Sequence, residues 1–141
     1  MKVSIVYWSG TGNTEAMATA VADGVKSAGA EVALIPVSVA DASVIDSDAI
    51  IFGCPAMGAE ELEETEFEPF FSSVENKLSG KKVGLFGSYG WGKGEWMRTW
   101  QERVTACGGV LVSDGVIVNE APDDTAIEEC VALGKAAAGN S

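Results

Sequence analysis

The sequence contains no histidine. That absence removes imidazole acid–base catalysis, Ser-His-Asp and Cys-His nucleophiles, and His-ligated metals. Cysteine is scarce: Cys54, Cys107 and Cys130 stand far apart with no C-x-x-C, so neither a zinc site nor a disulfide framework is expected. A sparse, odd set of thiols fits a reducing cytoplasm. Positive charge is scarce too. Nine Lys and Arg face twenty-one Asp and Glu, a net charge of −12, which argues against nucleic acid or an anionic membrane as a partner. The apolar run after Met1-Lys2 is too short for a signal peptide, and no stretch approaches about 20 apolar residues, so a cytoplasmic protein without a membrane span is expected. What remains is a chain of 141 residues that is 47% hydrophobic, which predicts one domain, 1–141, with a core that needs no staples.

Apolar, β-branched runs alternate with helical patterns along this chain. Residues 3–8, 32–36, 49–53 and 82–88 read as strands, and 110–112 with 115–118 as a broken fifth one. Met17, Val21 and Val25 mark a helix over 14–28, with Gly29 as its stop. Residues 39–46 hold room for one short helix. Phe67, Phe70, Phe71, Val74 and Leu78 mark another, followed by helices over 95–107 and 124–138. The reading is β-α repeated five times. Strands apolar on both faces, separated by amphipathic helices, imply a parallel sheet covered on both sides, with right-handed crossovers. Such sheets bind ligands beyond the carboxyl ends of their strands, where strand order reverses. The loops after strands one, three and four therefore matter most.

The first is Ser9-Gly10-Thr11-Gly12-Asn13-Thr14. Two glycines let successive N–H groups converge, the helix N-terminus adds the positive end of its dipole, and neutral donors surround the hollow. That is a phosphate cradle without a cation. It is not a dinucleotide fingerprint, because Glu15 stands where a third Gly belongs. A well-capped strand-to-helix turn is the blander account. The second is Pro55-Ala56-Met57-Gly58-Ala59-Glu60. Met57 offers a polarizable thioether to a flat ring, Gly58 tolerates positive φ, and Glu60 offers an acceptor to a ring N–H. Taken alone, this segment reads better as an ordinary turn. The third is Gly87-Ser88-Tyr89-Gly90-Trp91-Gly92-Lys93-Gly94, where four glycines in eight residues allow close backbone approach and Trp91 offers a stacking face. A surface loop with an aromatic anchor is its blander account. Gly87 to Lys93 matches G-x-x-x-x-G-K, but Gly94 stands where a Mg²⁺-binding hydroxyl is needed, so a nucleotide hydrolase is not supported.

Two other classes fail on chemistry. A low-molecular-weight phosphatase needs Arg six residues after its Cys, and Glu60 occupies that place after Cys54. A phospho-receiver needs acidic residues at the ends of strands one and three and a Lys after strand five. Those places hold Trp8-Ser9, Gly53-Cys54 and Asn119-Glu120.

Taken together, a cation-free phosphate cradle, a Met-Gly turn and a Gly-flanked Trp fit a monophosphate bearing a flat polycyclic ring. The sequence resembles the flavodoxins, specifically the short-chain type of anaerobic fermentative bacteria. The resemblance runs over essentially the whole chain. It is carried by Tyr7-Trp8-Ser9-Gly10-Thr11-Gly12-Asn13-Thr14-Glu15, Gly53-Cys54-Pro55-Ala56-Met57-Gly58 and Gly84-Leu85-Phe86-Gly87-Ser88-Tyr89-Gly90-Trp91-Gly92. It implies a doubly wound α/β fold with a five-stranded parallel sheet of order 2-1-3-4-5 and helices on both faces. It also implies a low-potential electron carrier with non-covalent FMN and no catalysis of its own. By resemblance, Ser9, Gly10, Thr11, Gly12, Asn13 and Thr14 hold the phosphate. Pro55 to Glu60 and Ser88 to Gly92 surround the ring, with Met57 and Trp91 on its two faces and Glu60 on N3–H. The Gly58 peptide would turn its carbonyl toward N5–H of the neutral semiquinone, and Ala59 stands where some relatives carry Asp or Asn.

The physics fits that role. Adding the second electron makes an anionic hydroquinone beside an uncompensated phosphate. One carboxylate ~8 Å away at an effective dielectric of ~20 opposes it by about 2 kcal/mol before screening. Residues 60–68 (Glu-Glu-Leu-Glu-Glu-Thr-Glu-Phe-Glu) read either as a docking patch for basic partners or as a solvated helix start. The expected partners are redox enzymes with basic docking surfaces, such as low-potential oxidoreductases that also use ferredoxin, met by a monomer. An FMN-dependent NAD(P)H:quinone oxidoreductase, or a module binding another phosphorylated ring, are the alternatives. Little chain remains to build a nicotinamide pocket.

Overall fold

A computed structural model describes residues 1–139 except Thr11, Ala59 and Trp91. Strands β1 (Lys2–Tyr7), β2 (Glu31–Pro36), β3 (Ala49–Gly53) and β4 (Lys82–Tyr89) are joined by helices α1 (Asn13–Ser27) and α2 (Phe67–Val74). Then follow α3 (Glu95–Ala106), the short strands β5 (Val110–Leu111) and β6 (Val116–Asn119), and α4 (Asp124–Ala137). All pairings are parallel, in the order 2-1-3-4-5. The fifth position is shared: β5 pairs with the start of β4 (Lys82↔Val110) and β6 with its end (Tyr89↔Asn119). The break expected near residues 112–115 is therefore real, and the turn between the halves is fixed where Gly115 N–H donates to Gln101 Oε1 at 2.6 Å.

Alternation along each central strand builds two cores. Val6, Ile50, Phe52, Val83 and Leu85 point to one face, against Phe67, Phe71 and Val74 of α2 and Trp96, Trp100 and Val104 of α3. Val3, Ile5, Ala49, Ile51 and Phe86 point to the other, against Met17, Val21 and Val25 of α1 and Cys130 and Leu133 of α4. On the first face aromatic rings meet edge to face, with Phe52–Phe71 centroids 5.1 Å apart and Phe67–Trp100 centroids 5.5 Å apart. On the second, α1 and α4 touch backbone to backbone. A Cβ on Gly24 would fall 2.1 Å from the Val131 carbonyl oxygen, and one on Gly134 2.1 Å from that of Val21.

Two expectations need correction. The short helix over 39–46 is absent, and two 3₁₀ turns, Val37–Val39 and Ala42–Asp46, stand there instead. Asp41 caps the second by accepting from Ser43 N–H at 2.9 Å. β-Branched, Ser and Asp residues give such a run local alternatives to an α-helix. The helix expected over 67–78 ends at Val74 and tightens into a 3₁₀ turn, Glu75–Lys77. Elsewhere the capping follows the sequence, as at α4, where Asp123 accepts from Ala126 N–H at 2.8 Å.

Candidate functional site

The carboxyl ends of β1, β3 and β4 converge on one cavity of about 550 Å³. A volume of that size lies within the range of roughly 300–1,000 Å³ typical of small-molecule sites. Nine of the seventeen residues expected at a site line it: Gly10, Asn13 and Thr14 from the first loop, Pro55, Ala56 and Met57 from the second, and Ser88, Tyr89 and Gly90 from the third. Three loops far apart in sequence meet because β1 pairs with β3 and β3 with β4. Their junctions are tied: Trp8 N–H donates to the Gly53 carbonyl at 3.0 Å and Ala56 N–H to that of Ser88 at 3.0 Å. A buried contact of 3.0 Å between the Thr14 and Ser88 hydroxyls joins the first loop to the third.

The other expected residues serve the site from behind, or in different ways. Ser9 Oγ accepts from Gly12 N–H at 3.1 Å and Glu15 N–H at 3.2 Å, so it shapes the turn into α1. Gly12 sits at φ 96 and carries the chain into the helix. Gly58 lies exposed in a hairpin closed by two reciprocal Met57–Glu61 backbone bonds of 2.9 Å. Glu60 does not line the cavity. Its carboxylate accepts from Lys93 N–H at 3.2 Å and Glu95 N–H at 2.9 Å, while Gly92, at φ 90, lies beside it. Thr11, Ala59 and Trp91 lie outside the described residues.

The acidic segment 60–68 is mostly engaged inside the fold. Glu63 is buried. Its two oxygens accept from Thr65 N–H (2.8 Å) and hydroxyl, Glu66 N–H (2.8 Å) and Phe67 N–H (2.9 Å), the last two opening α2. Burial alone would raise its carboxyl pKa, but these donors together hold it below the ordinary value. Glu68 takes a bidentate pair from Arg103 at 2.7 and 2.9 Å, and Glu66 accepts from Trp8 Nε1 at 3.3 Å. Glu61 and Glu64 are exposed and make no ion pair among the described residues.

Trp8, at the end of β1 beside the first loop, lines the cavity as well, and two further lining residues, Glu120 and Ala121, were not expected. Glu120 adopts φ 60, and its N–H donates to the Tyr89 carbonyl at 2.7 Å, which clamps the loop after β6 onto the end of β4. That loop also leaves a carboxyl end of the sheet, and this was the available signal. Cys54 lies behind the wall, buried, with its thiol pushed up to about 12 by desolvation, so no reactive thiolate faces the cavity at neutral pH.

A family model described as Flavodoxin matches residues 5–134. The sequence is 55% identical to a flavodoxin of Megasphaera elsdenii over 139 residues, which cover 96% of this chain and 98% of that protein. The chain belongs to the flavodoxin family. A flavodoxin of Clostridium beijerinckii is 50% identical over 134 residues, covering 94% and 96% of the two chains. The fold matches the solution structure of two-electron reduced Megasphaera elsdenii flavodoxin with a TM-score of 0.90 at 53% identity, covering 97% and 98% of the chains. Flavodoxins bind FMN and transfer electrons, and this flavodoxin is a carrier rather than an enzyme.

The cavity's donor set suits FMN. One end gathers the N-terminus of α1 with the Asn13 amide and Thr14 hydroxyl, and no Lys or Arg is among its described lining residues. A helix N-terminus with neutral donors suits a phosphate dianion. Trp8, Pro55, Ala56, Met57 and Tyr89 add apolar lining to the same cavity. No helix of the described residues is long and apolar enough to cross a membrane.

Proposed function

We propose that this flavodoxin holds FMN with its phosphate on the loop Ser9–Thr14 and its ring between Met57 and Trp91, and passes single electrons at low potential to basic partners. The observation that carries the reading is the cavity itself, with neutral donors, apolar side chains and no cation among its described lining residues. Bound FMN supplies the redox chemistry, taking up and releasing electrons one at a time. The chain sets the conditions. Gly10, Gly12, Asn13 and Thr14 bind the phosphate without neutralising it. Backbone groups of Ser88, Tyr89, Gly90 and Gly92 would meet the polar edge of the ring, and Glu60, whose carboxylate stands behind the cavity wall against the Lys93 and Glu95 amides, would accept from N3–H. Pro55, Ala56 and Met57 exclude water from one face. The Gly58 peptide, at φ 48 with open space around it, is free to turn its carbonyl toward a proton on ring N5. Glu120 at the cavity wall opposes added negative charge.

Charge placement supports the partner reading. Six of the seven lysines, Lys2, Lys26, Lys77, Lys81, Lys82 and Lys135, lie at strand starts or helix ends, at the opposite edge from the cavity, while Lys93 stands on the loop after β4. Glu61, Glu64 and Glu120 are exposed near it and make no ion pair among the described residues, so negative charge predominates at the cavity edge. That field suits redox enzymes with basic docking surfaces, including low-potential oxidoreductases that also use ferredoxin. We place the protein in the cytoplasm as a monomer of one domain.

The test is titration of the isolated chain with FMN, followed by stepwise reduction with dithionite. Quenched flavin fluorescence at one FMN per chain is expected, with an absorbance band at one electron per FMN that neither end state shows. Failure to bind FMN, or reduction without that band, overturns the reading.

A further inference from the structure

We infer that Trp8 and Glu66 are positioning residues that form a shelf under the phosphate loop. The indole, held by the Glu66 carboxylate at the start of α2, keeps that loop in place and so favours phosphorylated flavin over flavin without phosphate. The inference rests on the FMN site proposed above, and its test separates the two.

Trp8 is where β1 runs out into the first loop. Its backbone is fixed, because its N–H donates to the Gly53 carbonyl at 3.0 Å. Its side chain is half-buried and borders two hollows, the main cavity and a second of about 200 Å³ that it shares with Tyr7, Ser9, Glu15 and Glu66. The ring rests on the first core, but a ring that borders two hollows is not fixed by packing alone. Glu66 supplies the missing restraint. Trp8 Nε1 donates to Glu66 Oε1 at 3.3 Å. Glu66 is itself tied by its backbone: its N–H donates to the buried Glu63 carboxylate at 2.8 Å, and its carbonyl accepts from Phe70 N–H at 3.3 Å as α2 opens. The two edges of the indole therefore meet different parts of the chain. The pyrrole edge meets Glu66, and the benzo edge meets the phosphate loop. A Cβ on Gly10 would fall 2.9 Å from Trp8 Cη2 and 3.2 Å from Cζ3, so the loop backbone lies against the ring. Beyond Gly10 the loop has ties of its own, with Ser9 Oγ accepting from the Gly12 and Glu15 amides. Those ties shape the turn, whereas the shelf fixes where the turn stands on the sheet. A site that holds a phosphate without a cation depends on several neutral donors converging on one place. Donors fixed beforehand save the ordering cost of binding. Riboflavin has no group for that loop to hold.

Three variants separate the shelf from a plain wall of the ring slot. Glu66→Leu removes the acceptor and leaves the indole. Glu66→Gln removes the same charge but keeps an oxygen for the indole N–H. Trp8→Phe removes the N–H and part of the ring under Gly10. Binding of FMN and of riboflavin to the full-length chain is read by flavin fluorescence, and amide hydrogen exchange by NMR on the FMN-free chain. Glu66→Leu and Trp8→Phe should bind FMN about tenfold more weakly, and riboflavin within about twofold of wild type. Glu66→Gln should bind FMN at least as tightly as wild type, since it loses only a charge that repels the phosphate. In the FMN-free Glu66→Leu chain the Gly12 and Glu15 amides should exchange about fivefold faster than in wild type, and in Glu66→Gln at the wild-type rate. Unchanged exchange and FMN binding in Glu66→Leu overturn the shelf, as does an equal loss in Glu66→Gln. Equal weakening of FMN and riboflavin in Trp8→Phe reduces Trp8 to a wall of the ring slot and overturns the selectivity. Should the wild-type chain refuse FMN, the site reading fails, and the exchange result in the FMN-free chain alone decides whether the shelf holds the loop.

Discussion

Replacing Glu63 by Gln removes one charge and one acceptor from a buried cap, and the consequence depends on pH. In the native protein Glu63 Oε1 accepts from the Glu66 and Phe67 amides, and Oε2 from the Thr65 amide and hydroxyl. Gln keeps one oxygen and so two of these four bonds, and sets an NH₂ group against the other two donors. Hydrogen bonds to charged groups contribute about 1.5–3 kcal/mol each, and a donor left facing a donor in a buried site loses that much. The expected cost near neutral pH is about 2–3 kcal/mol, a large share of the roughly 5–15 kcal/mol that holds a domain together. The pH course follows from linkage. The folded-state pKa of Glu63 is lowered below its ordinary value of 4.5, so its contribution is present above that value and is lost as pH falls through the folded pKa. Once protonated, wild-type Glu63 is a neutral acid much like Gln, so the gap between the two proteins should close in acid. Urea unfolding followed by far-UV circular dichroism, with equal FMN excess, measures it at neutral pH and at about pH 3. A gap of the same size at both pH values refutes the charged-cap account. No gap at neutral pH removes Glu63 from the stability of α2 altogether.

Other outcomes follow from the same geometry. Arg103→Met loses the bidentate pair with Glu68, the 3.1 Å contact to Glu75 and the guanidinium 4.9 Å over the Phe71 ring. A loss of about 1–3 kcal/mol is expected in urea unfolding, and a double-mutant cycle with Glu68→Gln should give less than the sum of the two singles. Gly134→Ala drives a methyl into the Val21 carbonyl and should cost at least about 1–3 kcal/mol by thermal unfolding. A neutral result would mean that α1 and α4 separate freely. Glu120→Gln should raise the potential of the second electron by on the order of 30–60 mV in voltammetry, after screening. An unmoved potential takes Glu120 out of the site's electrostatics. Added salt should slow reduction of a basic haem protein, and a salt-independent rate would exclude steering by the cavity edge.

The sheet was legible because its strands are apolar on both faces, a pattern that few other architectures produce. Even the interruption of the fifth strand could be read from Ser113 and Asp114 between two Val-containing pieces. Helix ends follow local sequence where a neighbouring side chain does the capping, as where Asp123 accepts from the Ala126 amide. They do not where the cap comes from a distant loop: nothing near Gly94 announces that Glu60 completes α3. The same non-locality hid Glu120. A residue whose place at the cavity depends on a bond from its own N–H to the Tyr89 carbonyl carries no local motif. Residues 39–46 misled for the opposite reason, since the segment had room for a short helix but the local chemistry of Asp41 and Ser43 favoured tighter turns.

The acidic segment shows why a charge run alone says little about a partner. Six glutamates lie between residues 60 and 68. Glu60 and Glu63 accept from amides that open α3 and α2, Glu66 takes the Trp8 indole N–H, and Glu68 binds Arg103. Each of these lowers its own availability to an approaching cation, because the lone pairs are already directed inward. Glu61 and Glu64 keep theirs. Steering at long range depends on net charge and would survive neutralisation of any one of the six, whereas a specific contact depends on the two free carboxylates. Glu61→Gln with Glu64→Gln should therefore slow association with a basic partner more than Glu66→Gln with Glu68→Gln does, although both pairs remove two charges. Equal slowing would mean that the field alone, and no particular carboxylate, directs the encounter.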